Sequence, residues 1–290
     1  MYKILLSGIA TLDIINVVND YPQEDEEIRA IDHYEQRGGN GANTAVVLSQ
    51  LGNKVEFVGV LTESSDGKKI NNDLLRFNIS INYCQYDNGQ SPTSYITVNS
   101  KNGSRTIVHY RSIPELGFDT FNKIPLSDFD WYHFEGRNIE TTLKMLNKIR
   151  HEVPHKPVSI EVEKPRPGIE QLYPYANTIL FSRHYANACG FSDAESFLKE
   201  QRKHISLAIL ICAWGELGAW ALDEKNTLYY SKAYPTDNIV DTLGAGDTFN
   251  AAIIHSFLNG NDLSSSLTAA CQLAGKKIGQ SGFDKLVSPA

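Results

Sequence analysis

The chain has 290 residues, and its 27 basic and 34 acidic side chains give a formal net charge of −7 at pH 7. Hydrophobic residues make up 41% and charged residues 21%, a balance typical of a globular protein with a sizeable core. No apolar run approaches the roughly 20 residues of a membrane span. The acidic balance argues against nucleic-acid binding dominated by phosphate contacts. We expect no membrane or nucleic-acid partner.

Cysteine usage and the N-terminus indicate the compartment. The four cysteines are scattered without C-x-x-C spacing, so they require no disulfide framework. Asp13 interrupts the short apolar stretch at the N-terminus, which argues against a signal peptide. We therefore expect a cytoplasmic protein. No linker or repeat divides the chain, so residues 1–290 are predicted to form a single domain.

Short apolar runs alternate with helical patterns along the chain. Runs that are apolar throughout are typical of parallel strands covered on both faces. The predicted strands are residues 4–9, 55–61, 131–134, 158–162, 178–181 and 207–213. Strands that alternate with helices form βαβ units, so we predict an α/β fold with an open, mostly parallel sheet flanked by helices.

Amphipathic helices are predicted between these strands. Apolar side chains recur at helical spacing in two of the intervals, at Ile70, Leu74 and Phe77 and at Leu143, Leu146 and Ile149. Ser192 and Glu195 have the spacing of a capping box, which predicts that a further helix begins there.

Two segments, 14–36 and 92–112, do not follow this alternation of apolar strands and amphipathic helices. In the second, period-two alternation on both sides of Asn102-Gly103 predicts a hairpin whose two turn residues have positive φ. The first segment lacks a helical face, and its alternation is imperfect. We predict that both segments are strands of a small antiparallel β lid inserted into the α/β domain.

The sequence does not support a zinc site, a P-loop or a dinucleotide-binding loop. His151 and His155 match the H-E-x-x-H zinc pattern, but Pro154 would break the helix that this pattern needs, so a surface loop is predicted. No P-loop sequence is present. Gly39 and Gly41 lack the third glycine of a dinucleotide-binding loop and follow no buried strand.

The sequence from Gly244 to Asp247 begins a predicted helix that ends at Gly260. Free amides and the helix dipole at such a start bind anions. Amides at Gly244, Ala245 and Gly246 could stabilise a transferring phosphoryl group while Asp247 takes the proton of an acceptor hydroxyl. The alternative is that Asp247 only stabilises the start of the helix.

Asn40 and Asn43 follow the glycine pair Gly38-Gly39 at the start of another predicted helix. They lie one helical turn apart, so both amides point in the same direction. Sugar hydroxyls need this mixture of donors and acceptors. The alternative is an asparagine cap after a glycine turn.

The combination of GGNGAN near the N-terminus and DTLGAGDTF near the C-terminus resembles the pfkB, or ribokinase-type, family of sugar kinases. The segments EGRN and EVEKPR are similar to those of its ketohexokinase branch, and the resemblance extends to about residue 287. It implies a ribokinase-like fold and ATP-dependent phosphorylation of the C1 hydroxyl of fructose or a similar ketose. A kinase for another sugar or a nucleoside is the alternative, and a sugar or nucleotide sensor without turnover is a more distant one.

The resemblance also implies roles for individual residues. Asp247 would be the general base beside an anion hole at Gly244, Ala245 and Gly246. The sugar-binding residues would be Asp13, Gly39, Asn40, Asn43 and Arg137, with Asp25 completing the site of a neighbouring subunit. The residues bordering ATP would be Arg105, Gly215, Gly218, Gly244, Gly246, Cys271 and Ala274. The lid would pair with that of a second copy to form a homodimer.

Metal ions are implied less directly. ATP would arrive with Mg²⁺, but the N-x-x-E motif that organises magnesium in many relatives is replaced by residues 182–185. The nearby candidate ligands are Glu161 and Glu163, with solvated strand-end charges as the alternative. Activation by K⁺ would involve carbonyl groups around Asp241 and Thr242.

Overall fold

The computed structural model describes residues 1–236 and 239–287. Its strands are β1 (Lys3–Ser7), β2 (Thr11–Val18), β3 (Asp32–Gly38), β4 (Lys54–Val58), β5 (Val60–Thr62), β6 (Gln85–Asp87), β7 (Thr93–Asn99), β8 (Arg105–Tyr110), β9 (Trp131–Glu135), β10 (Val158–Val162), β11 (Thr178–Ser182), β12 (Ile209–Ala213), β13 (Ala219–Leu222) and β14 (Leu228–Ser231). Its helices are α1 (Asn40–Gln50), α2 (Ser65–Arg76), α3 (Phe118–Phe121), α4 (Ile139–Glu152), α5 (Arg183–Ala188), α6 (Ala194–Arg202), α7 (Ala245–Leu258) and α8 (Leu263–Ile278). Within the described ranges, no helix is long and apolar enough to cross a bilayer.

The central sheet has eight strands in the order β14-β13-β12-β11-β10-β9-β1-β4. The six strands from β12 to β4 are parallel, which confirms the predicted parallel sheet. The last two strands at one side of the sheet, β13 and the edge strand β14, are antiparallel and were not predicted. Parallel strands buried on both faces have continuous apolar sequences. The sequence of β14 is not of this kind, because the strand is partly exposed at Tyr230.

The core lies in layers on both faces of this sheet, because successive side chains of a strand point to opposite faces. Leu5 and Tyr132 pack on one face with residues of α3, α4, α5 and α6. Ile4, Leu6 and Phe57 pack on the other face with α1, α2 and α7. The predicted helical faces are therefore the buried ones.

One predicted strand is wrong in its extent. Residues 55–61 form two strands, because β4 ends at Val58 and β5 pairs with β6 in a separate two-stranded sheet. Gly59 lies at the break, where a Cβ atom would come within 2.7 Å of the Gly8 carbonyl oxygen. The chain can leave the central sheet there only because this position has no side chain.

Two predicted helix boundaries need correction. The capping box at Ser192 is wrong, because Asp193 is the N-cap of α6 and its Oδ1 accepts from the amide of Ser196 at 2.8 Å. His151 lies in the last turn of α4 rather than in a loop, and the helix ends at Glu152, before Pro154. The two histidines of the zinc pattern therefore do not share a helix.

The lid is a four-stranded sheet in the order β3-β2-β7-β8. Its two outer pairs are antiparallel, and the central pair of β2 and β7 is parallel. In the hairpin turn only Gly103 has positive φ, at 68°, because four residues rather than two connect Asn99 to Ser104. The expectation of positive φ at Asn102 was wrong, but the hairpin was correctly placed.

Candidate active site

The N-termini of α1 and α7 meet at the carboxyl edge of the central sheet, where open α/β folds bind ligands. Asn43 Nδ2 donates to Asp247 Oδ2 at 2.7 Å, and Thr44 Oγ1 donates to the Asp247 carbonyl oxygen at 3.4 Å. The two glycine-rich motifs lie about 200 positions apart in sequence. The structure brings them into one site.

The start of α7 has the form that an anion site requires. Gly244 is the N-cap with φ 74°, and a Cβ atom there would lie 2.2 Å from Cζ of the Phe283 ring. A Cβ atom on Gly246 would meet nothing within 4 Å, so the space in front of this turn is open. Amides in the first turn of a helix have no partner within the helix and can donate to a ligand. The geometry fits the predicted anion hole.

Asp247 is nearly inaccessible, with 6% of its surface exposed. Burial raises the pKa of Asp247 to about 7, and the carboxylates of Glu163 and Glu135 act in the same direction. The amide of Asn43 and the charge of Arg37 oppose the increase. A carboxylate whose pKa lies near neutrality is well suited to general-base catalysis.

Asp13 lies on β2 beside the glycine pair that precedes α1. Its Oδ1 accepts from Thr11 Oγ1 at 2.8 Å, and burial raises the pKa of Asp13. A Cβ atom on Gly38 would come within 2.0 Å of Asp13 Oδ2, and Gly39 has φ 93°. The glycine pair therefore lets the backbone approach the Asp13 carboxylate closely.

Glu135, at the end of β9, connects several parts of this site and was not predicted. Its Oε1 accepts from the amides of Ile9 and Gly41 at 2.8 Å and 2.5 Å. Its Oε2 accepts from Arg137 Nη1 at 2.9 Å, while Arg137 Nε donates to Glu115 Oε1. Arg137 thus lies near the start of α1, and its role in sugar binding stays a prediction. The EGRN segment was the available signal, since its glutamate is Glu135.

Glu161 is held by two amides. Its Oε1 accepts from Asn40 Nδ2 at 3.2 Å and from Asn250 Nδ2 at 3.0 Å. Burial raises the pKa of Glu161 well above its ordinary value, and the nearby Asp247 adds to the increase. A buried carboxyl group with these partners is a poor metal ligand. Asn250 was not predicted as a site residue, although it ends the motif that contains Asp247.

Glu163 is the better candidate for magnesium. It is partly exposed, and its Oε1 lies 3.5 Å from Lys164 Nζ. Across the described residues, no group of three or more acidic, histidine or cysteine side chains could enclose a metal ion. Magnesium is commonly held by one or two carboxylates together with the phosphates of a substrate, and Glu163 fits that role.

Arg105 connects the lid to the loop before α7. Its Nη1 donates to Thr242 Oγ1 at 2.5 Å, and the rest of the side chain is exposed. This contact places Arg105 beside the loop that leads to the anion hole, and its role towards phosphate stays a prediction.

The predicted potassium position already contains a protein cation. Lys277 is fully buried, and its Nζ donates to Asp241 Oδ2 at 2.8 Å and to the Asp241 carbonyl oxygen at 3.2 Å. A potassium ion at this carbonyl would have to share its oxygen with the ammonium group. Sequence analysis did not identify Lys277 as a site residue.

The remaining residues predicted to border ATP lie around β13 and β14. Gly218 has φ 96°, and a Cβ atom there would lie 2.1 Å from the carbonyl oxygen of Ser231, which also accepts from Cys271 Sγ at 3.8 Å. Gly215 lies next to the guanidinium group of Arg183. Ala274 packs against the cluster that α7 and α8 form with the sheet.

Asp25 is not brought into this site. It is exposed in a turn with φ 63°. In the part of the chain that the structure describes, no hydrogen bond or ion pair connects Asp25 to Asp13, Asn40 or Asn43. Its role in the site of a second subunit stays a prediction.

Comparison with known proteins agrees with this geometry. The family model described as pfkB family carbohydrate kinase matches residues 1–289. Ketohexokinase of Mus musculus is 40% identical to this chain over 294 residues, which cover 98% of this chain and 99% of the relative. Fructosamine kinase of Bacillus subtilis is 23% identical, with 87% of this chain and 89% of the relative covered.

Solved structures of more distant relatives share the fold. Ribokinase from Thermotoga maritima has a TM-score of 0.81 at 19% identity, with 100% of this chain and 97% of that chain covered. Arabidopsis thaliana ribokinase, solved with ribose and ATP, has a TM-score of 0.80 at 20% identity, with 97% and 94% covered. These similarities confirm the predicted ribokinase-like α/β fold.

Proposed function

The chain belongs to the pfkB family of carbohydrate kinases, and from that premise we propose that it is an ATP-dependent ketose kinase. It would transfer the γ-phosphoryl group of ATP to the C1 hydroxyl of fructose or a similar ketose. The observation that carries the proposal is the position of Asp247, a buried carboxylate in the same turn as the open amides of α7 and bonded to Asn43. The 40% identity to a ketohexokinase over nearly the whole chain supports the choice of a ketose.

The polar groups around the start of α1 would bind the sugar. Asp13 supplies a carboxylate, and the side chains of Asn40, Asn43 and Arg137 lie along the same edge of the sheet. Gly39 lets the backbone of α1 begin against the carbonyl oxygen of Ile9, which would lie 2.4 Å from a Cβ atom at this position. Buried groups of this kind select against a substrate that lacks the matching hydroxyl.

Phosphoryl transfer would use Asp247 as the base. Asn43 occupies Oδ2, so Oδ1 can accept the proton of the C1 hydroxyl. The hydroxyl oxygen forms a bond to the γ-phosphorus as the bond to the β–γ bridging oxygen breaks, and ADP leaves with that electron pair. Amides at the start of α7 stabilise the negative charge on the transferring group, and Arg105 adds a cation near the phosphates.

Magnesium would neutralise charge on the phosphates, and Glu163 is the residue of this chain best suited to hold it.

Activation by potassium stays a prediction. It is tested by comparing turnover in potassium chloride with turnover in tetramethylammonium chloride at equal ionic strength. Location in the cytoplasm also stays a prediction.

A second copy of the chain would cover the outer face of the lid. Tyr95 and Val108 are paired across β7 and β8 and are 49% and 65% exposed. An uncovered apolar face of this kind favours association, and Asp25 would reach the neighbour's sugar site. We expect Val108→Glu to give a monomer with reduced turnover, as measured by light scattering and assay. The control is Leu207→Glu, at a position that is 80% exposed on the α/β domain.

The proposed reaction is tested by measuring ADP release with fructose, other sugars and nucleosides, followed by phosphorus NMR of the product from fructose. Fructose 1-phosphate is the expected product. Fructose 6-phosphate, or faster turnover with adenosine, would favour the kinase for another sugar or a nucleoside. No ADP release with any acceptor would favour a sensor.

A further inference from the structure

A chain of three hydrogen bonds connects the surface of α2 to Asp247. Arg37, which is 6% exposed, donates from Nε to Asp73 Oδ2 at 2.7 Å and from Nη1 to Asn43 Oδ1 at 2.5 Å. Asn43 Nδ2 then donates to Asp247 Oδ2 at 2.7 Å. The charge of Arg37 acts on Asp247 directly, but Arg37 makes no direct hydrogen bond to that carboxylate, so its hydrogen bonds reach Asp247 through the amide of Asn43.

The orientation of the Asn43 amide determines whether its nitrogen or its oxygen faces the Asp247 carboxylate. An asparagine side chain has an accepting oxygen and a donating nitrogen on one planar group, whereas a guanidinium group can only donate. With Arg37 on one side, Oδ1 must face the guanidinium, and Nδ2 must therefore face Asp247. The reversed amide would place NH₂ against a cation and an oxygen against a carboxylate.

We propose that Arg37 is a positioning residue for Asp247, and that it acts by holding the Asn43 amide in the orientation that donates to the carboxylate. The inference rests on the proposed role of Asp247 as the base. Without Arg37 the amide is free to turn, and an Asn43 oxygen facing Asp247 would favour the protonated carboxyl, which cannot accept a proton. Asp247 also faces the carboxylates of Glu135, Glu161 and Glu163, which favour that same protonated form.

The surroundings of Arg37 keep its guanidinium group in place. Asp73 is 19% exposed and holds Nε, and the ring of Phe283 lies 5.4 Å from the guanidinium carbon. Phe283 also packs against Gly244 at the start of α7, so the same ring contacts Arg37 and the anion hole. A lysine could keep the charge but not the two directed hydrogen bonds of the planar fork.

The test compares four variants in the full-length protein: Arg37→Met, Arg37→Lys, Asp247→Asn and the control Arg76→Met. Arg76 also pairs with Asp73, but its side chain is 53% exposed and its second ion-pair partner is the exposed Asp284. For Arg37→Met we expect kcat to fall by about 10- to 100-fold, with KM for ATP within about threefold of wild type, since a hydrogen bond to a charged group is lost. The midpoint of the pH–rate profile should move to higher pH. Arg76→Met should leave kcat within about twofold and the profile unchanged.

Arg37→Lys separates positioning from folding, because it keeps the charge and most of the side-chain volume. We expect kcat to fall at least about fivefold at an unchanged melting temperature, with a smaller shift of the pH midpoint in the same direction, because the charge near Asp247 is kept. Wild-type kcat and midpoint in this variant, together with an inactive Asp247→Asn, would overturn the inference and leave the proposed function intact. An active Asp247→Asn would instead remove the proposed base.

Discussion

The Arg105 guanidinium donates to Thr242 Oγ1 over 2.5 Å, and this contact connects the lid strand β8 to the loop that leads into α7. The residues are 137 positions apart in the chain. Because Arg105 is otherwise exposed, its second nitrogen is free to approach a phosphate held by the amides at Gly244 to Gly246. The lid is therefore in contact with the loop that precedes the anion hole.

Arg105→Gln should weaken the use of ATP. Loss of one cation near the transferring phosphoryl group should lower kcat/KM for ATP by about 10- to 100-fold, because charge-assisted hydrogen bonds to phosphate contribute about 1.5–3 kcal/mol. Steady-state kinetics with ATP as the varied substrate measures this. Lys101→Gln is the control, since Lys101 lies in the same hairpin and its ammonium group pairs with the exposed Asp20. Equal effects of the two substitutions would contradict a specific role for Arg105.

Asp247→Asn should abolish most turnover while keeping the shape of the site. A general base contributes about 10²- to 10⁴-fold to the rate, so kcat should fall by that factor. Calorimetric binding of ATP should change little, because the amides at the start of α7 remain. A variant that keeps more than half of wild-type turnover would show that Asp247 only stabilises the helix. Asp284→Asn, at an exposed position, is the control for loss of a carboxylate.

The rate should depend on pH through the same residue. Asp247 must be ionised to accept a proton and its pKa is raised to about 7, so kcat/KM should increase as pH rises through about 7. Asn43 and Arg37 favour the ionised form, while Glu135, Glu161 and Glu163 oppose it. A profile that is flat between pH 5 and 8 would contradict this assignment.

The contribution of Asp247 to the stability of the fold should decrease as pH rises, whereas the reaction rate should increase. The folded-state pKa of Asp247 lies above its ordinary value of 3.8, so its contribution to stability is fully present below pH 3.8 and is lost as pH rises through about 7. Asp247→Asn removes this titration. The melting temperature of the variant relative to wild type should therefore increase between pH 5 and pH 8, as measured by calorimetry. A constant difference would show that burial does not raise this pKa.

Gly38→Ala should impair sugar binding more than ATP binding. The new Cβ atom would lie 2.0 Å from Asp13 Oδ2, so the Asp13 carboxylate must move. We expect KM for the sugar to rise about tenfold and stability to fall by about 1–3 kcal/mol. Gly117→Ala is the matched control, because its Cβ atom would meet only Gln85 Oε1 at an ordinary 3.5 Å. An unchanged sugar KM would contradict the role of Asp13.

The features that sequence analysis identified correctly depend on residues close together in the chain. The parallel strands were visible as apolar runs, and the start of α7 was visible because Gly244 and Asp247 belong to one turn. Prediction of helix ends from sequence was less accurate where two adjacent residues could both act as the N-cap. Asp193 rather than Ser192 caps α6, since either side chain could accept the same kind of hydrogen bond. The break at Gly59 was missed because it depends on the approach of Gly8, the residue that follows β1.

The sequence by itself determined the parallel sheet, the lid hairpin and the two glycine-rich helix starts, because each follows from periodicity or from a short motif. Only the tertiary structure decided which side chains share the site. Glu135 contacts the amides of Ile9 and Gly41, and Arg37 reaches Asn43 and Asp73. These contacts join separate elements, and no spacing along the chain encodes them. The pKa of Asp247 also required the fold, since burial is the main cause of its increase.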